Sequence, residues 1–166
     1  YPRRNIKLTP MKILGIDPGT ATTGFGLIQK DGPRLTRLDH GVISTPKNLE
    51  MPKRLVMLFE DLQELIKHHK PDVVAVEKLF FTNNITTAMS VSQARGVVLL
   101  VAEQNKVAIS EYTPLQVKMA VSGYGKATKK QVQEMVKKIL KLDVIPKPDD
   151  AADALAIAIC HSSANL

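Results

Sequence analysis

Hydrophobic and polar positions change their spacing partway along the chain. Lys12 to Asp17 is a short apolar run that Pro18-Gly19 breaks at once, so it predicts a strand whose last residue is an acid. Gly24 to Gln29 predicts a second strand, Asp31-Gly32-Pro33 a turn, and Leu35 to Ser44 a third strand, together an antiparallel meander. The period then lengthens. Leu55, Leu58, Phe59, Leu62, Leu65 and Ile66 recur at three and four, the mark of an amphipathic helix that ends in Lys67-His68-His69-Lys70 before Pro71. Asp72 to Glu77 is apolar almost throughout, as expected of a strand covered on both faces, and it too ends in an acid.

Residues 86–104 predict a helix and Val107 to Tyr112 a fifth strand. Thr128 with Gln131 forms a capping box ahead of Val132, Met135, Val136, Ile139 and Leu140. Pro148 and Asp149 suit the first turn of a last helix, with Asp149 expected to cap it. Three hairpin strands followed by alternating helices and strands predict an α/β layer fold with a mixed five-stranded sheet and helices on both faces. No repeat or linker divides it, so one domain is expected over residues 11–166, with residues 1–10 read as an upstream or vector-derived extension.

The helix at 86–104 is unusual in being apolar nearly all round. Val91, Ala94, Val98 and Val101 make one stripe, and Met89, Val97, Leu100, Ser92 and Gly96 widen it. Either the domain buries both sides or a second copy covers one of them.

Composition narrows the class. With 166 residues, 44% hydrophobic and 23% charged, the chain is long and apolar enough to close a core. The longest apolar runs, Val97 to Ala102 and Ala154 to Cys160, are far short of the roughly 20 residues that cross a bilayer, so no membrane span is expected. The lone Cys160 allows neither an internal disulfide nor a multi-cysteine zinc site, which suits a reduced, cytoplasmic setting. The net charge is +7, and Arg3, Arg4 and Lys7 in the leading ten residues leave +4 for the rest. That bias is compatible with a polyanionic partner without requiring one.

Acids attached to apolar elements are the informative charges, because such groups enter a core only when paired or bound to metal. Asp17 and Glu77 end two strands, and Asp150 and Asp153 lie three apart on one face of the last helix. Each has an ordinary reading: Asp17 as the start of a turn, Glu77 as the partner of a neighbouring base, Asp150 and Asp153 as first-turn acids. If the helix packs beside the two strand ends, four carboxylates converge, and such a cluster suits Mg²⁺ or Mn²⁺. Two such ions can hydrolyse a phosphodiester without a covalent nucleophile. His40, His68, His69 and His161 show no ligand spacing and are expected to be structural or solvent-facing. The glycines between Gly15 and Gly26 do not make a phosphate loop, since Phe25 stands where its lysine belongs and a strand follows. The same segment resembles the first hairpin of actin-like ATPases, but that class needs two lobes.

Five ordered motifs carry a more specific resemblance. Gly15-Ile16-Asp17-Pro18-Gly19 with Thr23-Gly24-Phe25-Gly26, Val76-Glu77-Lys78-Leu79-Phe80-Phe81, Gln93-Ala94-Arg95-Gly96, Gln116-Val117-Lys118, and Asp150 to Ala156 closely resemble the RuvC-type Holliday junction resolvases. The resemblance implies a ribonuclease H-like fold, a homodimer, and Mg²⁺-dependent paired nicking of four-way DNA junctions in recombination and repair, with a branch-migration motor as a partner. It places the catalytic, metal-holding acids at Asp17, Glu77, Asp150 and Asp153, with two ions per site. It places DNA contacts at Phe80, Lys118 and Lys129. Some members carry histidine where this chain has Asp150. Phe80 directly follows an acidic strand end, where an aromatic can stack on an unpaired base, and Lys118, Lys126, Lys129 and Lys130 form a basic segment suited to phosphates. Phe81 is expected in the core. Two other classes stay open on the residues alone: a junction-binding protein that never cuts, and an actin-like ATPase.

Overall fold

The computed structural model describes residues 9–19, 21–78 and 84–164. Residues 1–8, and both Phe80 and Phe81, therefore lie outside the described residues. The elements are β1 (Met11–Asp17), β2 (Thr22–Asp31), β3 (Arg34–Ser44), α1 (Met51–His69), β4 (Val73–Glu77), α2 (Ile85–Gln104), β5 (Ala108–Tyr112), α3 (Pro114–Ser122), α4 (Lys129–Ile139) and α5 (Asp149–Ser163). The sheet runs β3-β2-β1-β4-β5, antiparallel across β3, β2 and β1 and parallel across β1, β4 and β5.

Side chains alternate between two cores. Ile13, Ile28, Val73 and Ala75 pack with α3, α4 and α5 on one face. Leu14, Ile16, Leu27, Val74 and Val76 pack with α1 and α2 on the other. Burial on both faces is why β1 and β4 are continuous apolar runs.

α5 lies directly on β1 and β2 because those strands offer glycine where it crosses. A Cβ at Gly15 would stand 2.0 Å from the Ala154 carbonyl oxygen, and one at Gly24 would stand 2.0 Å from that of Asp150. The alanines of α5 complete the fit, with Ala151, Ala154 and Ala158 fully buried. This close approach carries the first turn of α5 over the end of β1.

Three features depart from expectation. α3 falls in a stretch with no helical period; Thr113 and Gln116 cap each other reciprocally, Pro114 opens the first turn, and Gly123 closes the helix at φ 72°. α5 begins after Pro148 without a side-chain cap, and the Asp149 carboxylate instead accepts from Lys147 Nζ at 3.1 Å. α2 is 20 residues long and apolar enough, by length and composition, to reach across a membrane, because the contiguous runs used above ignore its isolated polar positions. In the fold Ala94, Val98, Val101 and Ala102 join the core it shares with α1, and Arg95 pairs with Glu111 of β5.

Candidate active site

The register of the sheet brings the acids together. Ile16 of β1 pairs with Val76 of β4, so Asp17 and Glu77 emerge side by side at the ends of adjacent parallel strands. Asp17 also faces Gly24 across β2, and Gly24 is where the backbone of Asp150 sits. One carboxylate oxygen from each of Asp17, Asp150 and Asp153 lies within 4.8 Å of the other two. Glu77 stands outside that trio and joins Asp153 in lining an adjacent cleft of about 250 Å³.

Lysines flank the cleft. Lys118 projects from α3 and Lys129 from the first position of α4, and both line it above an apolar floor that includes Val117 and Ile157. Lys129 Nζ approaches Asp153 at 3.2 Å and Asp149 at 3.9 Å. The expected basic segment thus divides by position. Lys118 and Lys129 belong to the cleft, whereas Lys126 and Lys130 do not line it.

Electrostatics mark Asp17 as the most frustrated group. Burial first, then the charges of Asp153, Glu77 and Asp150, push its pKa up to about 7 against a small downward pull from Lys129. Burial followed by Asp153 raises Glu77, while Lys118 opposes the rise. Asp153 is raised by burial although Lys129, by charge and hydrogen bond, pulls it down. Burial alone would lower Lys129, but its bond to Asp153 and the acids around it leave it raised. Clustered carboxylates of this kind demand cationic charge, and all their donors are hard oxygens. The residues therefore fit a magnesium-type ion, and Lys129 supplies part of the compensation from within the chain.

The histidines lie outside this cluster. Arg37 donates to Nδ1 of His40 at 3.0 Å, His69 Nε2 meets Asp39 at 2.9 Å, and buried His161 shares a 2.7 Å hydrogen bond with the Tyr112 hydroxyl. Cys160 is buried, and burial pushes its thiol up to about 11. Sequence reasoning missed the Arg95–Glu111 pair tying α2 to β5, whose signal was a basic residue inside an otherwise apolar helix.

Comparison with known proteins decides the family. The model of the family described as "Crossover junction endodeoxyribonuclease RuvC" matches residues 13–161. The chain belongs to the RuvC family. A RuvC from Desulfitobacterium hafniense is 59% identical over 157 residues, spanning 94% of this chain and 95% of that one. One from Syntrophomonas wolfei is 57% identical over 151 residues, spanning 91% and 88%. Among solved structures, RuvC from Thermus thermophilus in complex with Holliday junction substrate superposes with a TM-score of 0.86 at 36% identity, covering 92% of this chain and 93% of that one. The ribonuclease H-like, five-stranded mixed sheet with helices on both faces is the architecture of these RuvC structures. Of the residues expected from the sequence, Asp17, Asp150 and Asp153 form the tight trio, and Glu77, Asp153, Lys118 and Lys129 line the adjacent cleft.

Proposed function

We propose that this chain is a metal-dependent endodeoxyribonuclease that resolves four-way DNA junctions by paired symmetric nicks, acting as a homodimer. The observation that carries the reading is the convergence of Asp17, Asp150 and Asp153 beside an open cleft that Glu77, Asp153, Lys118 and Lys129 line. Family membership supports it, as does the likeness to a resolvase solved with a Holliday junction.

The four acids would hold Mg²⁺, for which Mn²⁺ would substitute, with two ions per site. Such ions, when bound, would supply water activation at neutral pH and charge stabilisation for the leaving oxygen. Asp17, the most buried acid, fixes the base of the site, while Asp150 and Asp153 offer adjacent oxygens from one helix face. Lys118 and Lys129 hold phosphates on either side of the scissile bond. Phe80, which follows Glu77 by three, stacks on a base unpaired at the crossover. Hydrolysis breaks the P–O3′ bond, leaving a 5′-phosphate and a free 3′-hydroxyl.

The homodimer is supported by α2, where Ile85, Met89 and Leu100 are 69%, 63% and 51% exposed in the single chain. A four-way junction offers two equivalent strands, and a two-fold axis supplies two sites to cut them.

The test is substitution of the acids. Asp17→Asn, Glu77→Gln and Asp153→Asn should each abolish nicking of a labelled four-way junction in Mg²⁺ while leaving junction binding within about threefold of the unmodified chain. Full activity of Asp17→Asn would overturn the assignment.

A further inference from the structure

A second basic surface leads away from the cleft along the edge of the sheet. Asp17 pairs with Gly24 and Gly24 with Val42, so the upper part of β3 lies two strands from the acids. From Val42 down to Arg34 the strand covers eight residue steps, about 26 Å. The segment 140–148 between α4 and α5 runs beside it in the same chain direction, rising from the Arg34 end toward the acids. It starts at Leu140, packed near Leu35, and ends at Lys147, whose ammonium meets Asp149 at the rim of the acid site.

Two contiguous grooves of about 650 and 380 Å³ separate β3 from this segment and share Lys141. Arg34, Arg37, Lys141 and Lys147 line them, with Asp143 as the only acid in either lining. The sorting of charge has a backbone cause. A register shift between Leu27 and Ile28 leaves Arg37 opposite Ile28, on the α5 face, and Asp39 opposite Leu27, on the α1 face. Asp39 there joins His69 at 2.9 Å, so the acid is removed from the groove and the arginine kept in it. Among the described residues neither Arg34 nor Lys141 has an ion-pair partner, and Arg37 spends one N–H on His40 Nδ1.

We propose that this groove is a second phosphate-binding track, which seats the sugar–phosphate backbone of a duplex arm of the junction as it leaves the cleft. The proposal rests on the nuclease reading above and names the part of the substrate this face takes. On β3 the grooves run from His40 to Arg34, six residue steps or about 20 Å, which matches about six base pairs at about 3.4 Å each. Side chains spaced along a strand and a parallel loop contact backbone rather than base edges, so the track adds affinity and direction to the arm and no sequence preference.

The experiment compares the unmodified chain with the triple variant Arg34→Gln, Arg37→Gln, Lys141→Gln. Binding is measured across a salt series to a four-way junction with arms of about twenty base pairs. A second junction carries neutral methylphosphonates about five to nine base pairs from the crossover. On the all-phosphate junction the triple variant should lower the salt slope by about three units. On the methylphosphonate junction the two proteins should bind alike. Nicking at the crossover should keep its Mg²⁺ dependence in the variant, which separates this proposal from the nuclease reading: absence of cutting by the unmodified chain defeats that reading instead. An unchanged slope on the all-phosphate junction overturns the track, as does an equal loss on both junctions. Should the triple variant fail to fold, Arg37→Gln alone should lower the slope by about one unit, and no change there overturns the track equally.

Discussion

Asp17 concentrates the chemistry of the site in one carboxyl. Its pKa near 7 means that the folded chain without metal holds a proton there that the unfolded chain releases near 4. The raised value fixes the sign: the associated stability is fully present below about pH 4 and is lost as pH rises through about 7. Urea midpoints in the presence of a chelator should therefore fall between pH 5 and pH 8, and Asp17→Asn should flatten the fall, gaining about 2 to 4 kcal/mol at pH 8. Addition of Mg²⁺ at pH 8 should restore the unmodified chain and leave the Asn variant nearly unmoved. A chelated chain with the same midpoint at both pH values would contradict the buried, crowded setting of this acid.

The lysines are tested through salt. Lys118→Ala and Lys129→Ala should each lower the junction salt slope by about one unit. Phe80→Ala should instead cost about 1 to 3 kcal/mol in binding the distorted junction with the slope unchanged. Unfolding of that variant would assign Phe80 to the core. The four acids were visible in the sequence as charges attached to apolar elements. The pairing of Lys129 with Asp153 was not, because it depends on where α4 begins relative to α5.

α5 and its glycine bed are the device that assembles the site. Gly24→Ala would press a methyl group into the Asp150 carbonyl, so either α5 lifts or β2 bends. We expect a loss of about 3 kcal/mol or more in chemical denaturation, together with loss of nicking, since the displaced turn carries Asp150. A fully stable and active Gly24→Ala chain would show that α5 does not depend on this contact. In the sequence the segment resembles the first hairpin of actin-like ATPases, and these glycines do not make a phosphate loop. Their purpose is to admit a helix about 130 residues away, which no local pattern encodes. α1 and α4 were legible because each buries one face and so keeps a period, and β1 and β4 because burial on both faces makes them continuous apolar runs. α3 was not, since it buries only Val117 and Val121, although its Thr113–Gln116 box is the same signal that marked α4.

The whole molecule turns on whether two copies act together. Met89→Glu with Leu100→Glu places charge on the exposed side of α2 and leaves its buried side, Ala94, Val98 and Val101, untouched. Sedimentation should then find a folded monomer that makes single, uncoordinated nicks. A dimer of unchanged stability would move the interface elsewhere. An apolar helix announced in the sequence that it had two faces to bury. It could not say which face the domain itself would take, since that follows from how α1 and the sheet meet it. The nuclease reading as a whole is tested most directly on a supercoiled plasmid bearing an extruded cruciform, incubated with the unmodified chain with and without Mg²⁺. Two symmetric nicks across the junction should appear together, yielding ligatable linear plasmid only with the ion, while a plasmid without the cruciform stays intact. Failure to cut the cruciform under Mg²⁺ or Mn²⁺, or equal cutting of both plasmids, would contradict it.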